Sequence, residues 1–396
     1  MVARKTPGIT QLPCRRETTV HQDMSNQQEI RTAVIGLGAM GSVHAKRLFN
    51  KEISGLKLSA VCDRQTSQSA SFPAVRFYSD WQKLITSKEL DAVIIATPHY
   101  DHAAMSVEAL RQGLHVLVEK PMGVRKSDCE ELLRAHAASD RILAVMLSMR
   151  VRPLYQKIRG MIRAGELGAL HRVTWIATDW FRTQAYYRSS DWRGTWKGEG
   201  GGLLLNQCPH QLDLWCWMFG LPNEVSAFCT EGRYHDIETE DDVTAFLSYD
   251  DGMRGVFIAS TGESPGTNRL EVVGENGKLI AEDGKLIFFR NAEPMTAFSH
   301  KTATLMGTVK FEQTEIPLSP PSVGHVGLMQ NFADAIRQEV PLLAPGTEGI
   351  QGVELANAMH LSSWKHEPVS LPLNTGLFDQ LLRLKIEQEE LATSAA

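Results

Sequence analysis

The chain has no apolar run approaching the ~18 residues that a membrane span needs, and no large excess of either charge. Lys+Arg number 41 against 46 Asp+Glu, for a net charge of −5. A nucleic-acid-binding domain normally carries a basic field, so no nucleic-acid partner is expected. Basic residues cluster at Arg150-Val151-Arg152 and from Arg188 to Lys197, but acids and aromatics interrupt them. The six cysteines (Cys14, Cys62, Cys129, Cys208, Cys216 and Cys229) form no C-x-x-C pair and show no zinc-ligand spacing. They read as thiols of a reducing, cytoplasmic compartment, with no metal centre. The first thirty residues are polar, and no apolar stretch follows Cys14-Arg15-Arg16, so a twin-arginine signal is not expected. Residues 1–30 are expected to be a disordered tail, with Met24 a candidate natural start. No internal repeat is visible.

With 396 residues, 43% of them hydrophobic, the chain is long enough for about two domains. From Thr32 to Leu147 short apolar runs alternate with helical patterns. Strands are expected at Thr32 to Ile35, Leu56 to Cys62, Asp91 to Pro98, His115 to Val118 and Ile142 to Leu147. Helices are expected at Ser42 to Phe49, Trp81 to Ile85, His102 to Gln112 and Ser127 to Ser139. Such alternation means a parallel sheet with crossovers. After about residue 150 the pattern changes. A helix (Leu154 to Ala164) leads to strands at Val173 to Thr178, Val225 to Cys229, Val243 to Tyr249, Gly255 to Ser260 and Arg269 to Val273. Asp250-Asp251-Gly252, Glu275-Asn276-Gly277 and Glu282-Asp283-Gly284 are hairpin-type turns. Helices follow at Leu328 to Gln338 and Glu348 to Trp364. The expected organisation is a tail (1–30), an α/β Rossmann domain with a doubly wound parallel sheet (31–150), an α+β domain with a large, mainly antiparallel open sheet (151–373), and a helical C-terminal tail (374–396).

Gly36-Leu37-Gly38-Ala39-Met40-Gly41 follows a strand and opens a helix, and Asp63 ends the next strand. In that context G-x-G-x-x-G is a dinucleotide fingerprint. Gly36 permits the turn, Gly38 the approach of the pyrophosphate, and Gly41 close helix–strand packing. Free N–H groups at the helix start, with Ala39 and Met40, face the phosphates. Asp63 suits the ribose hydroxyls and repels a 2′-phosphate, which favours NAD. Arg64 leaves NADP open, since it can pair with that phosphate or stack on adenine. Thr97-Pro98 ends the third strand beside the dinucleotide.

Lys120, within Glu119-Lys120-Pro121, ends an apolar strand that a proline stops. This delivers one ammonium to the carboxyl edge of the sheet, where ligands bind, and a lysine there can hold a substrate hydroxyl. A second informative segment runs from Gly200-Gly201-Gly202 through Asn206 to His210 and Asp213. Asn206 and His210 are expected to share one helix face, and Asp213 to cap or brace that helix. Asp179-Trp180-Phe181-Arg182-Thr183, Tyr186-Tyr187 and Trp192-Arg193-Gly194-Thr195-Trp196 read either as a substrate wall or as a loop packed on the sheet or on a neighbouring subunit. As a wall, Arg182, Tyr186, Trp192, Arg193 and Thr195 would stack on and donate to a sugar. His235-Asp236-Ile237-Glu238 and Glu240-Asp241-Asp242 are expected to be a solvated loop or subunit contact, not a metal site.

Taken together, these segments resemble the Gfo/Idh/MocA oxidoreductases, the family of glucose–fructose oxidoreductase and inositol dehydrogenase. The likeness rests on Ala33 to Gly41, Ala96-Thr97-Pro98 with His102, Glu119-Lys120-Pro121, the glycine run leading to His210 and Asp213, Asn331 to Ile336, and Val369 to Leu373. It implies that His102 and Glu119 belong to the cofactor side of the site. It also implies that Lys120 positions the substrate hydroxyl while His210 takes its proton. The family usually has Asp four residues before that histidine, and Asn206 stands there in this chain. An amide cannot act as a base, although it can orient the substrate or His210. The aromatic loop with Asn-Gln-Cys-Pro-His is similar to a glycoside-oxidising branch, some members of which convert a glucosyl C3 hydroxyl to a 3-oxo sugar. The expected reaction is NAD-dependent oxidation of a secondary alcohol on a sugar, glycoside or cyclic polyol, by a homodimer or homotetramer. The alternatives are an NADPH-dependent oxo-sugar or carbonyl reductase on the same fold, and a dinucleotide sensor without turnover.

Overall fold

The computed structural model describes residues 29–320, 324–338 and 340–395. The expected N-terminal tail therefore lies almost wholly outside the described residues.

The first sheet is built from β1 (Ile30–Ile35), β2 (Leu56–Cys62), β3 (Arg76–Tyr78), β4 (Ala92–Ile95), β5 (His115–Val118) and β6 (Leu143–Val145). Helices α1 (Ala39–Phe49), α2 (Trp81–Ile85), α3 (His99–Arg111) and α4 (Lys126–Ala137) alternate with them. All β4 residues are buried, as are the last three of β5. Strands covered on both faces read as continuous apolar runs, which is why they are legible in the sequence. The order is β3-β2-β1-β4-β5-β6 and every pairing is parallel. The strand order reverses between β1 and β4, and ligands bind in the crevice at such a switch point.

The second unit begins with α5 (Pro153–Arg163), β7 (Leu170–Ala177), α6 (Gln184–Arg188), α7 (Leu203–Asn206) and α8 (Pro209–Phe219). Then come β8 (Glu224–Glu231), β9 (Glu240–Ser248), β10 (Arg254–Ser260), β11 (Asn268–Gly274), β12 (Gly277–Glu282), β13 (Lys285–Asn291), α9 (Met295–Lys301) and β14 (Phe311–Glu315). The chain closes with α10 (Gly324–Gln338), α11 (Gly346–Lys365), β15 (Val369–Ser370) and α12 (Thr375–Ala395). A nine-stranded sheet runs β14-β13-β12-β11-β7-β10-β9-β8-β15, antiparallel except for the β7–β10 pair. One face buries Trp175, Ala245, Leu247 and Phe257 against Leu212, Trp215 and Leu355. Gly255 lies so close to the Trp215 ring that a Cβ would stand 2.5 Å from it. The opposite face leaves Phe228 66% and Phe246 52% exposed.

The domain boundaries do not follow the chain. Leu328, Met329, Phe332 and Ala333 of α10 belong to the core of the first unit, although they lie inside the segment expected to be the second. Helix α11 carries Val353 into the first core and Leu355, Ala356 and Met359 into the second. Its glycines bring it onto β6, since a Cβ on Gly349 would meet Val145 at 2.7 Å. An apolar helix period shows that a helix has a core face but not which core it joins.

Candidate active site

The glycine loop joins β1 to α1. Gly36 holds φ +87°, and a Cβ there would strike the Ala96 carbonyl at the end of β4, so only glycine fits. Nothing lies within 4 Å of a Cβ on Gly38. Gly38 caps α1 without a side-chain hydrogen bond, and no acid occupies the first turn. Gly38 and Ala39 are exposed, and a helix start leaves its first N–H groups without intrahelical partners, which fits a pyrophosphate. The Asp63 carboxylate accepts from Leu37 N at 2.7 Å and Gln65 N at 2.8 Å, which fixes it at the mouth of the loop. Arg64 is exposed. Thr97 lies beside Gly36, and Pro98 caps α3.

Two residues expected on the cofactor side are committed inward. His102 is buried, with Nδ1 2.7 Å from the Pro121 carbonyl and Nε2 2.8 Å from the Thr97 carbonyl. It ties the ends of β4 and β5 together and has no polar atom left for a ligand, so the expectation of direct cofactor contact is corrected. Glu119 is buried 2.7 Å from His44 Nε2 of α1 and accepts from Lys120 N at 3.1 Å. Burial by itself would raise its pKa, but the bond and charge of His44 and the Lys120 ammonium outweigh it and hold the acid at about 2. Glu119 is thus a fixed anion behind Lys120.

Lys120 lies at the carboxyl end of β5, as the sequence predicts. Its Nζ donates to the Asn206 carbonyl at 2.8 Å, and this bond spans the two sheets' units. Burial lowers its pKa, while Glu119 and Glu199 act in the opposite sense. Asn206 and His210 do not share one helix. Asn206 ends α7, and Pro209 begins α8 as its first helical residue. Proline suits that position because its missing N–H is not needed there. His210 follows in the first turn, and burial, with the nearby Lys120 charge, lowers its pKa to about 3. It is therefore a neutral imidazole at working pH. Its Nδ1 is buried without a protein partner.

Helix α8 is anchored by a buried ion pair. Asp213 accepts from Arg150 Nε at 2.9 Å and Nη2 at 2.6 Å, while Arg150 Nη1 reaches the Leu343 carbonyl at 3.2 Å and the Glu348 carboxylate. Asp213 does brace the helix bearing His210, through a link to the end of the first sheet.

The aromatic segment forms a stacked ladder. Arg193 lies over Trp192 at 4.4 Å and Tyr186 at 4.5 Å, and Arg182 over Tyr186 at 5.0 Å. Arg193 Nη1 donates to Tyr186 Oη at 2.6 Å, and Asn206 Nδ2 lies 3.4 Å from the same oxygen. Thr195 does not join this wall. Its hydroxyl donates to the Trp192 carbonyl at 3.0 Å and accepts from Gly198 N at 3.0 Å, so it makes a turn. Trp196 is a buried anchor against His360 and Trp364.

The acidic segment that leads into β9 is not a solvated loop, since Glu240 and Asp241 are the first residues of that strand. Glu240 is fully buried and caps α7, accepting from Gly202 N at 2.9 Å and Leu204 N at 2.8 Å. Asp241 is fully buried and accepts from the amides of Arg233, Tyr234 and His235 and faces His235 Nδ1 at 2.8 Å. Unmet backbone N–H groups recruit these acids.

Residues 30–147 match the model of the oxidoreductase family with an NAD-binding Rossmann fold, and residues 155–280 match the GFO/IDH/MocA C-terminal domain. The chain is a member of the Gfo/Idh/MocA family. As such it is an NAD-binding oxidoreductase. It is similar to the uncharacterized oxidoreductase YrbE of Bacillus subtilis, 25% identical over 87% of this chain and 97% of that one. Inositol 2-dehydrogenase 4 of Saccharopolyspora erythraea is 34% identical, over 37% of this chain and 44% of its own length. This chain thus spans less than half of that inositol dehydrogenase. Among solved structures, the WlbA dehydrogenase of Bordetella pertussis, in complex with NADH and UDP-GlcNAcA, shares the fold with a TM-score of 0.74. It is 24% identical, covering 88% of this chain and all of that one.

One acid of this family member escaped the sequence reading. Glu199, 1% exposed, accepts from Gly194 N at 2.7 Å on Oε2 and from Asn206 Nδ2 on Oε1. Burial raises its pKa to about 7. The available signal was an acid set inside Gly198-Glu199-Gly200-Gly201-Gly202, where nothing local calls for a charge.

Proposed function

We propose that the enzyme reversibly oxidises a secondary alcohol of a sugar, glycoside or cyclic polyol. The observation that carries this reading is the junction of Lys120, Asn206 and His210, drawn from both units, with Lys120 Nζ 2.8 Å from the Asn206 carbonyl. NAD, when bound, supplies the hydride acceptor. The chain's own residues handle the hydroxyl. The Lys120 ammonium holds its oxygen and stabilises the negative charge that develops there. Half-buried and unprotonated, His210 accepts the proton. Asn206 orients a neighbouring hydroxyl. Tyr186, Trp192, Arg182 and Arg193 present faces and donors suited to a sugar ring, which supports a glycoside; the resemblance of this loop and of Asn206 to His210 to a glycoside-oxidising branch supports, within that class, oxidation of a glucoside C3 hydroxyl to the 3-oxo product. Similarity to inositol 2-dehydrogenases supports the broader polyol class. Asp63 supports NAD over NADP, because its carboxylate repels a 2′-phosphate. The exposed Phe228 and Phe246 on the uncovered sheet face support a homodimer or homotetramer. No helix among the described residues is long and apolar enough to cross a membrane.

The test is absorbance at 340 nm with purified protein and NAD against glucosides, free sugars and inositols. The reading expects a rise with one of these classes and little with NADP. A flat trace with both cofactors across the panel overturns it.

A further inference from the structure

The position at which the family resemblance calls for a carboxylate holds Asn206, and a carboxylate has entered from another direction. Glu199 reaches Asn206 from the glycine-rich turn that precedes α7, and its two oxygens accept from two fixed N–H donors, Gly194 N and Asn206 Nδ2. Both oxygens act as acceptors, so the arrangement is that of the ionised acid. A carboxyl group that gains a proton becomes a donor through one oxygen, which then accepts more weakly and favours an acceptor over an N–H as its partner. It then opposes N–H to O–H at one of its two partners. The Gly194 amide belongs to the backbone and cannot turn, whereas a primary amide can rotate by half a turn and exchange its donor and acceptor ends with little change of shape.

We propose that Glu199 sets the orientation of the Asn206 side-chain amide: ionised, it holds Nδ2 and leaves Oδ1 to accept from a substrate hydroxyl; protonated, it donates to Oδ1 and turns Nδ2 toward the substrate. Glu199 is a positioning residue acting through Asn206. The inference rests on the reading that Asn206 lies against the substrate. Its consequence is that a substrate offering a hydroxyl proton binds better to the ionised form.

The surroundings allow the proton to come and go near neutrality. Glu199 meets the charge of Arg193 from its own loop, of Lys120 beyond β5, of Glu240 from β9 and, on ionisation, of the Tyr187 phenol of α6. His99 of α3 contacts only the Glu199 carbonyl, at 3.1 Å from Nδ1. Burial opposes ionisation most strongly, while the Gly194 and Asn206 bonds and Arg193 favour it. The ladder of Arg193, Tyr186 and Asn206 connects this equilibrium to the sugar-facing wall.

Two measurements test the proposal separately from the reaction itself. Asparagine-selective 15N labelling, with Asn206→Ala to assign the signal, reports the Asn206 side-chain amide between pH 5.5 and 8.5. The amide signals should shift with a single-proton midpoint near 7 in the parent enzyme and hold still in Glu199→Gln. An amide that does not titrate, or one that titrates equally in Glu199→Gln, overturns the proposal whether or not a substrate has been found. With an oxidisable alcohol in hand, KM should fall about tenfold per pH unit up to that midpoint, as a one-proton requirement dictates, while kcat changes less. Glu199→Gln should lack this dependence and Glu199→Asp should retain it at a shifted midpoint. A KM limb that survives in Glu199→Gln assigns the titration to Lys120 and sinks the proposal. Loss of turnover with an unaltered amide titration would instead count against the alcohol-oxidation reading.

Discussion

At the scale of single residues, the site uses burial to set protonation. His210 holds a pKa near 3 because burial removes the solvation its charged form needs, with Lys120 adding repulsion. Its protonation therefore cannot shape a rate profile near neutrality. Replacing Lys120 or His210 by Ala should each lower kcat by roughly 10²–10⁴-fold, with NAD affinity unchanged by fluorescence titration. Retained turnover in both variants would defeat the assignment. Glu199 gives a stability prediction with a definite sign. Its folded pKa of about 7 lies above the ordinary 4.5, so the folded state binds the extra proton across that window. Stability should fall as pH rises from about 4.5 to about 7, then level off, by at most roughly 3 kcal/mol from the shift. Glu199→Gln should remove this slope, read as thermal midpoint against pH. Asn206→Asp should push the titration further up, because two adjacent carboxyls cannot both ionise cheaply.

At the scale of elements, the buried Arg150–Asp213 pair fastens α8 to the first unit and to α11. The desolvation of two such charges is repaid only by their mutual bonds. Arg150→Met strands the Asp213 carboxylate and should cost about 3–5 kcal/mol, seen as a lower denaturation midpoint. Arg150→Met with Asp213→Leu should recover most of that loss, since the double variant buries no unpaired charge. If the double variant is as unstable as the single one, the pair is not the fastening. Glu240 plays the corresponding part for α7, where its two oxygens meet the amides of Gly202 and Leu204. The short helix carrying Asn206 is thus held from β9, and no sequence neighbour of Asn206 could have revealed this.

At the scale of the whole molecule, the nine-stranded sheet has one face against α8 and α11 and the other open. Phe228 and Ile258 flank Thr244 on that open face across β8, β9 and β10, and Phe246, between Ser226 and Val256, lies one step along the same face. Exposed aromatics in a contiguous patch mark an interface. Phe246→Glu should shift the protein toward monomer in light scattering, with the 340 nm activity per chain reporting whether assembly matters to turnover. Identical mass for the variant and the parent would exclude this face as the contact.

The sequence alone determined what local chemistry can encode. The glycine loop, the buried runs of β1, β4 and β5, and the end of β5 at Lys120 follow from steric need and from burial on both faces of a parallel sheet. Those constraints act within a few residues, and the two-domain family fold was legible from them. His210 and Asn206 were visible as residues, but their shared helix was not real, because Pro209 starts a new one. Only the tertiary structure decided that α10 joins the first core, that Thr195 and His102 spend their polar atoms inward, and that Glu199 and Glu240 reach the short helix from elsewhere. In each case the deciding quantity was where a buried polar group finds its partner, and that partner lies far along the chain, where periodicity and spacing carry no information.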